Sequence, residues 1–285
     1  MLWRSILHKT LITLCVVACT ALPGCAAWPG LDDPTLTVSP EYTALRLTGE
    51  TRMESGSPPA KGNYLSVADL GASDREDNLG VMLSYGEDAS GFDLHYGRFE
   101  AHSSGSGVAF DAWGNIPGPS GTPSMPEQVD TRVTMDEFRA RYVASFLLYE
   151  DDDEEAWLRA GAGLQLGHKE MTFDVRGINS GTAQKIEIKD DVSPMLAVRI
   201  AGKRGPIGLN IDFAYNPDLS FGTGDLHGAF YDLTILANYF LEAQELTVFA
   251  GYRRFDIPAR GHEGINEFDT DFTLDGYILG FKFEF

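Results

Sequence analysis

Hydrophobic and polar residues alternate one by one along much of the chain. The clearest stretches are residues 158–167, 207–216 and 231–241. In the second of these, Ile207 and Leu209 lie on either side of Gly208, and the alternation continues to the end of the stretch. A period of two is what a β-strand with two different faces requires. The pattern therefore predicts an all-β chain.

The polar face of these strands is rich in glycine and carries a few large charged side chains. The charged candidates are Arg139, Arg141, Arg159, Arg199, Arg253 and Lys282, with Asp93, His95, Asp212, Asp232 and Glu284 among the possible partners. Small residues beside a few charged ones suit a narrow lumen better than the solvated face of a sandwich. The apolar stretches often end in an aromatic residue, such as Trp157 or Tyr277, which is typical of a membrane barrel. We therefore predict a single antiparallel transmembrane β-barrel whose lumen is lined by these charges.

The spacing of the alternating stretches predicts ten strands. Their approximate bounds are 42–52, 78–87, 91–102, 130–149, 156–174, 184–202, 206–216, 229–241, 245–257 and 270–285. Every second connection is short, and most of the others are long, as expected for periplasmic turns and outer loops. The stretch 64–70 is a candidate for a further strand, so eight or twelve strands remain possible.

The first 25 residues have the pattern of an export signal. They contain no acidic residue, and Arg4 and Lys9 precede a largely apolar run that is too short to cross a bilayer. The sequence that ends at Cys25 resembles a bacterial lipobox, which implies a signal peptide over residues 1–24, lipidation of Cys25 and passage to the outer membrane. Ordinary cleavage near Cys25 is the alternative. Residues 25–41 are then a periplasmic linker and residues 42–285 the barrel.

Charge and cysteine content narrow the function. The chain has 22 Lys and Arg against 42 Asp and Glu, so it lacks the basic surface that nucleic acid binding requires. All three cysteines fall within the first 25 residues, so no disulfide is expected in the barrel. No pair of histidines has the spacing of a zinc motif, and we expect no metal or cofactor.

The last strand carries the most specific signal. From Tyr277 onwards every second residue is aromatic or leucine, and the chain stops on Phe285. Here the sequence resembles Gram-negative outer-membrane β-barrel proteins, with Gly280, Phe283 and Phe285 matching the terminal assembly signal and Ile278 departing from its usual polar residue. The resemblance implies residence in the outer membrane and contact with lipid, lipopolysaccharide and the barrel-assembly machinery. It indicates no oligomeric state.

Three functions are compatible with this interpretation. The first is a structural or surface-exposed barrel, with a narrow anion-tolerant pore as a special case if the charges do not plug the lumen. The second is a lipid-modifying enzyme at the rim, for which His102 with Ser103 or Ser104, and His262 with Glu263, are the candidate groups. The third is a soluble periplasmic lipoprotein of lipocalin type.

Two further segments are candidates for function. Loop 103–129 is rich in Gly, Ser and Pro and contains Phe110 and Trp113, which could plug the lumen, contact a partner or belong to a solvated loop. The acidic run 150–155 lacks the spacing of a calcium loop, and we interpret it as a solvated turn.

Overall fold

A computed structural model describes most of the chain after residue 33. The described residues are 34–56, 59–61, 63–72, 75–87, 89–108, 126–153, 155–217, 225–226, 228–241, 246–263 and 266–285. Regular structure in this part of the chain consists of β-strands. No helix in it is long and apolar enough to cross a membrane.

Twelve strands are present in the described residues. They are β1 (Thr35–Gly56), β2 (Pro59–Lys61), β3 (Leu65–Ser66), β4 (Arg75–Glu87), β5 (Ser90–Val108), β6 (Glu127–Asp151), β7 (Ala156–Gly177), β8 (Ala183–Arg204), β9 (Ile207–Pro217), β10 (Ala229–Leu241), β11 (Leu246–Glu263) and β12 (Asn266–Glu284). Ten of them, β1 and β4 to β12, form an antiparallel ring in chain order, and β12 closes it against β1. The short β2 and β3 pair with β1. The predicted all-β barrel of ten strands is confirmed.

The first strand begins earlier than predicted. It starts at Thr35, so residues 35–41 belong to the barrel wall rather than to a linker. The physical reason is closure: β1 pairs with β12 from Thr37 opposite Glu284 to Glu54 opposite Glu267, and a shorter β1 would leave the end of β12 without a partner. The stretch 64–70 contributes a two-residue strand rather than a wall strand.

The two ends of the barrel differ. We call the end at which β1 begins and β12 ends the turn end, since every connection there is short, and the opposite end the loop end; in barrels of this type the short turns face the periplasm. Several strands are longer than the 9–11 residues that span a membrane. β6 has 25 residues and β7 has 22, so the wall continues well beyond the bilayer at the loop end.

The outer surface changes character halfway along the wall. On β12 the outward residues from Phe285 back to Tyr277 are apolar and exposed, and beyond Tyr277 the outward positions are Asp, Thr or Glu. The same apolar belt surrounds the turn half on other strands, and its members include Leu79, Phe146, Leu164, Leu196, Ile207 and Tyr239. Exposed apolar surface on this scale belongs against lipid. It does not fit the soluble lipocalin alternative.

Inside the barrel, the larger apolar region lies in the loop half. The loop half holds a continuous apolar core in which Phe99, Phe173, Phe268 and Phe272 are at most 1% exposed. Phe173 stacks on Phe272 with 5.4 Å between ring centroids. The loop half therefore resembles a water-soluble β-barrel, with a dry core and a charged outer wall.

Two short segments fill the mouth of this core. Val67 and Leu70, which follow β3, are fully buried, and Thr131 Oγ1 donates a hydrogen bond to the Leu70 carbonyl. Leu226 pairs with Ala259 on β11 and is also buried. At the turn end a smaller apolar cluster contains Phe249, which packs so closely on Gly280 that a Cβ there would lie 2.4 Å from the ring.

Candidate functional site in the lumen

A layer of charged side chains lies between these two apolar regions. Its members are Glu41, Asp93, His95, Glu137, Arg139, Arg141, Lys169, Arg199, Asp212, Asp232 and Arg253, and none is more than 8% exposed. The strand period places them there. On β6, for example, Glu137, Arg139 and Arg141 occupy three successive inward positions, while the residues between them face outward. We call this set the charged layer.

Two arginines and two aspartates form its first group. Arg141 donates to Asp93 Oδ2 from Nε at 3.1 Å and from Nη2 at 2.9 Å, and to Asp212 Oδ2 at 3.1 Å. Arg199 donates to the same two carboxylates, at 2.6 Å to Asp93 and 2.7 Å to Asp212. Each carboxylate is therefore shared by both guanidinium groups, and the group of four closes on itself.

A second group contains Arg253, Arg139, Glu137 and Asp232. Arg253 donates two hydrogen bonds to Glu137, each 2.7 Å, and two to Asp232, at 2.9 and 3.3 Å. Arg139 Nη1 donates to Asp232 Oδ2 at 2.8 Å, the oxygen that also accepts from Arg253 Nη2. Paired bonds between a planar guanidinium and a carboxylate are the strongest type of ion pair that side chains make.

His95 and Lys169 complete the layer. His95 Nε2 lies 3.2 Å from Glu41 Oε2, and its Nδ1 lies 3.9 Å from Glu137 Oε2. The Lys169 ammonium lies 5.6 Å from the ring centroid of Phe230, at the border with the apolar core. Lysine is seldom so completely buried unless its charge is balanced nearby.

The formal charges of the layer cancel. Glu41, Asp93, Glu137, Asp212 and Asp232 supply five negative charges, and Arg139, Arg141, Lys169, Arg199 and Arg253 supply five positive ones, so 5 − 5 = 0 with His95 neutral. Buried charges persist in proteins only when they are paired and hydrogen-bonded. The arrangement suits a wall-to-wall network, and it offers no excess of positive charge to a passing anion.

The predicted lumen residues divide between the layer and the turn end. Arg139, Arg141, Arg199, Arg253, Asp212 and Asp232 belong to the layer. Arg159 and Lys282 are partly buried closer to the turn end, where the Lys282 ammonium lies 5.6 Å from the Phe249 ring centroid, and Glu284 is exposed. Sequence reasoning missed Glu41, Glu137 and Lys169, although each shares the inward parity of its strand.

The histidine candidates lie on the outer wall of the loop half. His102 Nε2 is 2.8 Å from Asp130 Oδ1, and His262 Nε2 is 3.1 Å from Glu267 Oε1, with all four side chains exposed. Ser104 is opposite Asp130 in the strand register. No cluster of three or more metal-binding side chains occurs among the described residues.

Several predicted features lie outside the described residues. They are Cys25, the loop residues Phe110 and Trp113, and the side chain of Glu263. Lipidation of Cys25 therefore stays a prediction. The terminal residues are described: Phe283 and Phe285 face outward, and the Phe285 amide donates to the Leu36 carbonyl at 2.9 Å across the closing seam.

Comparisons with known proteins concern the fold. No family model matches the sequence, and no curated protein matches it. Among solved structures the chain is similar to the outer membrane protease OmpT from Escherichia coli, at 8% identity over 92% of this chain and 99% of that chain, with a TM-score of 0.49. It is also similar to Neisserial surface protein A (11%, 89% and 100%, TM-score 0.33) and to the translocator domain of the autotransporter NalP from Neisseria meningitidis (11%, 98% and 96%, TM-score 0.38).

Similarity at this level concerns architecture and transfers no activity. The assignment rests instead on the geometry described above: a closed antiparallel ring, an apolar outer belt bordered by tyrosines, and short turns at the end where β1 begins and β12 ends. The chain therefore has the architecture of an integral membrane β-barrel.

Proposed function

We propose that the protein is a closed barrel that anchors and displays its loop half at the cell surface and does not conduct solutes. The electroneutral charged layer is the observation that carries this proposal. In that layer each described guanidinium group that was predicted to attract anions already has one or two carboxylate partners, as Arg141 and Arg199 illustrate.

A second barrier lies in series with the first. Beyond the charged layer the lumen is occupied by the apolar core, whose side chains, such as Phe255 and Leu274, are at most 1% exposed. A hydrated ion that crossed the layer would then have to enter a region lined mostly by apolar side chains, which is strongly unfavourable. The narrow anion-tolerant pore would require both barriers to rearrange.

The displayed part is the wall beyond the belt. Its outer face carries charged side chains that pair across strands, such as Arg132 with Glu100 at 2.5 Å, and along a strand, such as Lys189 with Glu187 at 2.8 Å. This surface and the loops that continue from it are where lipopolysaccharide and external partners would bind. In this proposal the barrel-assembly machinery recognises the terminal residues Gly280, Phe283 and Phe285 as its targeting signal.

Single-channel recording tests the closed state. The refolded protein, shown to be folded by its shifted mobility on an unheated gel, is inserted into a planar bilayer beside a porin of known conductance. We expect no discrete conductance steps from this protein. An Arg141→Ala, Arg199→Ala variant provides the comparison for anion selectivity, with Arg98→Ala on the outer wall as the matched control.

The possible outcomes distinguish a closed lumen from an arginine-lined pore. Steps with anion preference in the wild-type protein, lost in the double variant and kept in Arg98→Ala, would establish the arginine-lined pore and end the closed-barrel proposal. A folded, silent wild-type protein supports closure. Conductance that appears only in the double variant would show that the paired charges close the wild-type lumen, and it would contradict the role of the apolar core as a second barrier.

A rim enzyme that modifies lipid is the second candidate, and the hydrogen bond between His102 and Asp130 is what favours it. A histidine oriented by a carboxylate is the usual general base of a serine nucleophile, and Ser104 lies on the same face of β5. If this function is correct, His102→Ala changes the lipid A or phospholipid profile of producing cells and His262→Ala does not. Unchanged profiles in both variants would exclude these histidines as catalytic groups.

A further inference from the structure

Three arginines form a row on the outer wall, just beyond the aromatic border of the lipid-facing belt. Arg75 of β4 is opposite Arg46 of β1, Arg46 is opposite Asp275 of β12, and Asp275 is opposite Arg254 of β11. Because neighbouring strands lie about 4.8 Å apart, this arginine row is about 14 Å long. Tyr277, two residues along β12 from Asp275, marks the start of the apolar belt beneath it.

The pairing of Arg46 with Arg75 is unusual within this molecule. Among the cross-strand pairs that the structure describes, it is the single pair that places two arginine or lysine residues opposite each other. By contrast, Arg98 on the outer wall is opposite Asp136. Like charges directly opposite each other destabilise a sheet. An anion bound between the two guanidinium groups would remove that repulsion.

The arginine row has donors to offer such an anion. The side chains of Arg46 and Arg254 are 47% and 46% exposed, and Arg75 is exposed. The Arg75 guanidinium lies 4.7 Å from the Tyr277 ring centroid, so the aromatic face fixes its plane while the N–H edges stay accessible. The described ion pair of Arg46 is one contact of 3.4 Å to Asp275. A guanidinium carries five donors, so most of them are not used by that contact.

The acidic residues nearest the row have partners of their own. Asp275 also accepts from Tyr252 at 3.3 Å, and Asp256, whose carboxylate lies 4.0 Å from Arg254, accepts from Thr273 at 2.9 Å. Asp77 interacts with the hydroxyl of Tyr42. These contacts hold the carboxylates, while the three arginines stay exposed.

We propose that the arginine row binds the phosphate group of an outer-leaflet glycolipid. Arginine forks match phosphate oxygens in paired hydrogen bonds, which a monoester phosphate accepts better than a neutral headgroup. The position selects a lipid over a soluble anion, because exposed Leu79 and Leu279 lie four residues toward the turn end from Arg75 and Asp275 and would contact the acyl chains. This proposal is independent of whether the lumen conducts.

Binding to lipid A in nanodiscs tests it. The protein is reconstituted with phosphatidylcholine, and its affinity for diphosphoryl lipid A is compared with that for the same lipid A after removal of both phosphates. We expect at least about tenfold tighter binding of the phosphorylated form, since a hydrogen bond to a charged group is worth roughly that factor or more. Arg46→Gln, Arg75→Gln should abolish the difference, and Arg98→Gln should keep it.

Folding of each variant is checked by gel mobility before binding is measured. Equal affinity of the wild-type protein for the two forms of lipid A would overturn the proposal, as would an equal loss in Arg98→Gln. Competition by inorganic phosphate alone at the same concentration as the lipid would also overturn it, because the site would then recognise an anion without its lipid. If the double variant does not fold, the proposal is still tested by the wild-type affinities for the two forms of lipid A and by the same comparison in Arg254→Gln.

Discussion

Arg253 and Glu137 form an ion pair with two hydrogen bonds across the lumen, from Nη1 to Oε2 and from Nη2 to Oε1, both 2.7 Å long. The same guanidinium donates to Asp232, so one side chain of β11 holds carboxylates from β6 and β10. β6 and β11 are not neighbours in the ring. This contact therefore ties distant parts of the wall together, and it makes the charged layer a structural element of the membrane-embedded half.

Loss of Arg253 should destabilise the whole barrel. Arg253→Met leaves Glu137 and Asp232 buried with one cation fewer, and breaking a buried pair in this way costs about 3–5 kcal/mol. We expect the free energy of unfolding in urea, followed by gel mobility in detergent micelles, to fall by that amount. Arg98→Met is the control, because Arg98 is 53% exposed and its pair with Glu100 should contribute at most about 1 kcal/mol. Equal losses would show that the lumen pairs contribute no more than surface ones.

The sequence predicted the ring well and the length of the wall poorly. Strand period and alternating loop lengths identify ten strands, because each wall strand has one apolar and one polar face. These two features do not indicate where along each strand the membrane-embedded part of the wall ends. On β12 the large apolar residues are at even-numbered positions up to Leu274 and, apart from Ile278, at odd-numbered positions from Tyr277. This change of parity marks the point at which apolar residues change from facing the core to facing lipid.

The same change of parity explains which members of the site were missed. Glu137 and Lys169 lie at the border between the charged layer and the apolar core, where the neighbouring inward residues Met135 and Met171 are apolar. If every apolar residue is assigned to the lipid-facing surface, the inward position of Glu137 and Lys169 cannot be recognised from the sequence. Partners across the lumen, such as Arg253 for Glu137, are separated by more than a hundred residues and depend on the closure of the ring.

The apolar core of the loop half should unfold more readily than the membrane-embedded half when it loses a large side chain. Phe272→Ala removes a ring that is 0% exposed and stacked on Phe173, which costs about 3–5 kcal/mol in a well-packed core. We expect faster proteolysis of the loop half from outside the membrane, with the gel mobility of the embedded half unchanged. Thr172→Ala, on the outward face beside Phe173, should leave proteolysis unaffected. Unchanged proteolysis in Phe272→Ala would contradict a packed external core.

Glu127 should make the turn between β7 and β8 sensitive to acid. The hydroxyl of Ser180 donates to Glu127 Oε1, and the amides of Asn179 and Ser180 donate to Oε2 at 2.9 Å each, so the pKa of this carboxyl lies below its usual value. Stabilisation by a lowered pKa is complete above the ordinary value near 4.5 and is lost as the pH falls through the folded value.

Hydrogen exchange at the two amides measures this effect. Exchange corrected for its intrinsic rate should accelerate severalfold at Asn179 and Ser180 when the pH is lowered from 7 to 3, because protonation weakens the acceptor. In Glu127→Gln the amides should exchange faster already at pH 7 and show no further change on acidification. An unchanged pH response in that variant would assign the effect to another group.

The last residue should matter for assembly in the cell more than for the stability of the finished barrel. Phe285 is 79% exposed, and its described hydrogen bond to Leu36 uses the backbone amide, so deletion of the residue removes one hydrogen bond at the seam. Such a loss costs about 1 kcal/mol, which a closed ring of ten strands tolerates. We expect the deletion variant to refold into detergent nearly as well as the wild-type protein, and to accumulate in the outer membrane at a much lower level. Phe285→Ala, which keeps the amide, is the matched variant: if the side chain is what the assembly machinery reads, it should share the defect in cells, and a normal level of this variant would assign the defect to the seam instead.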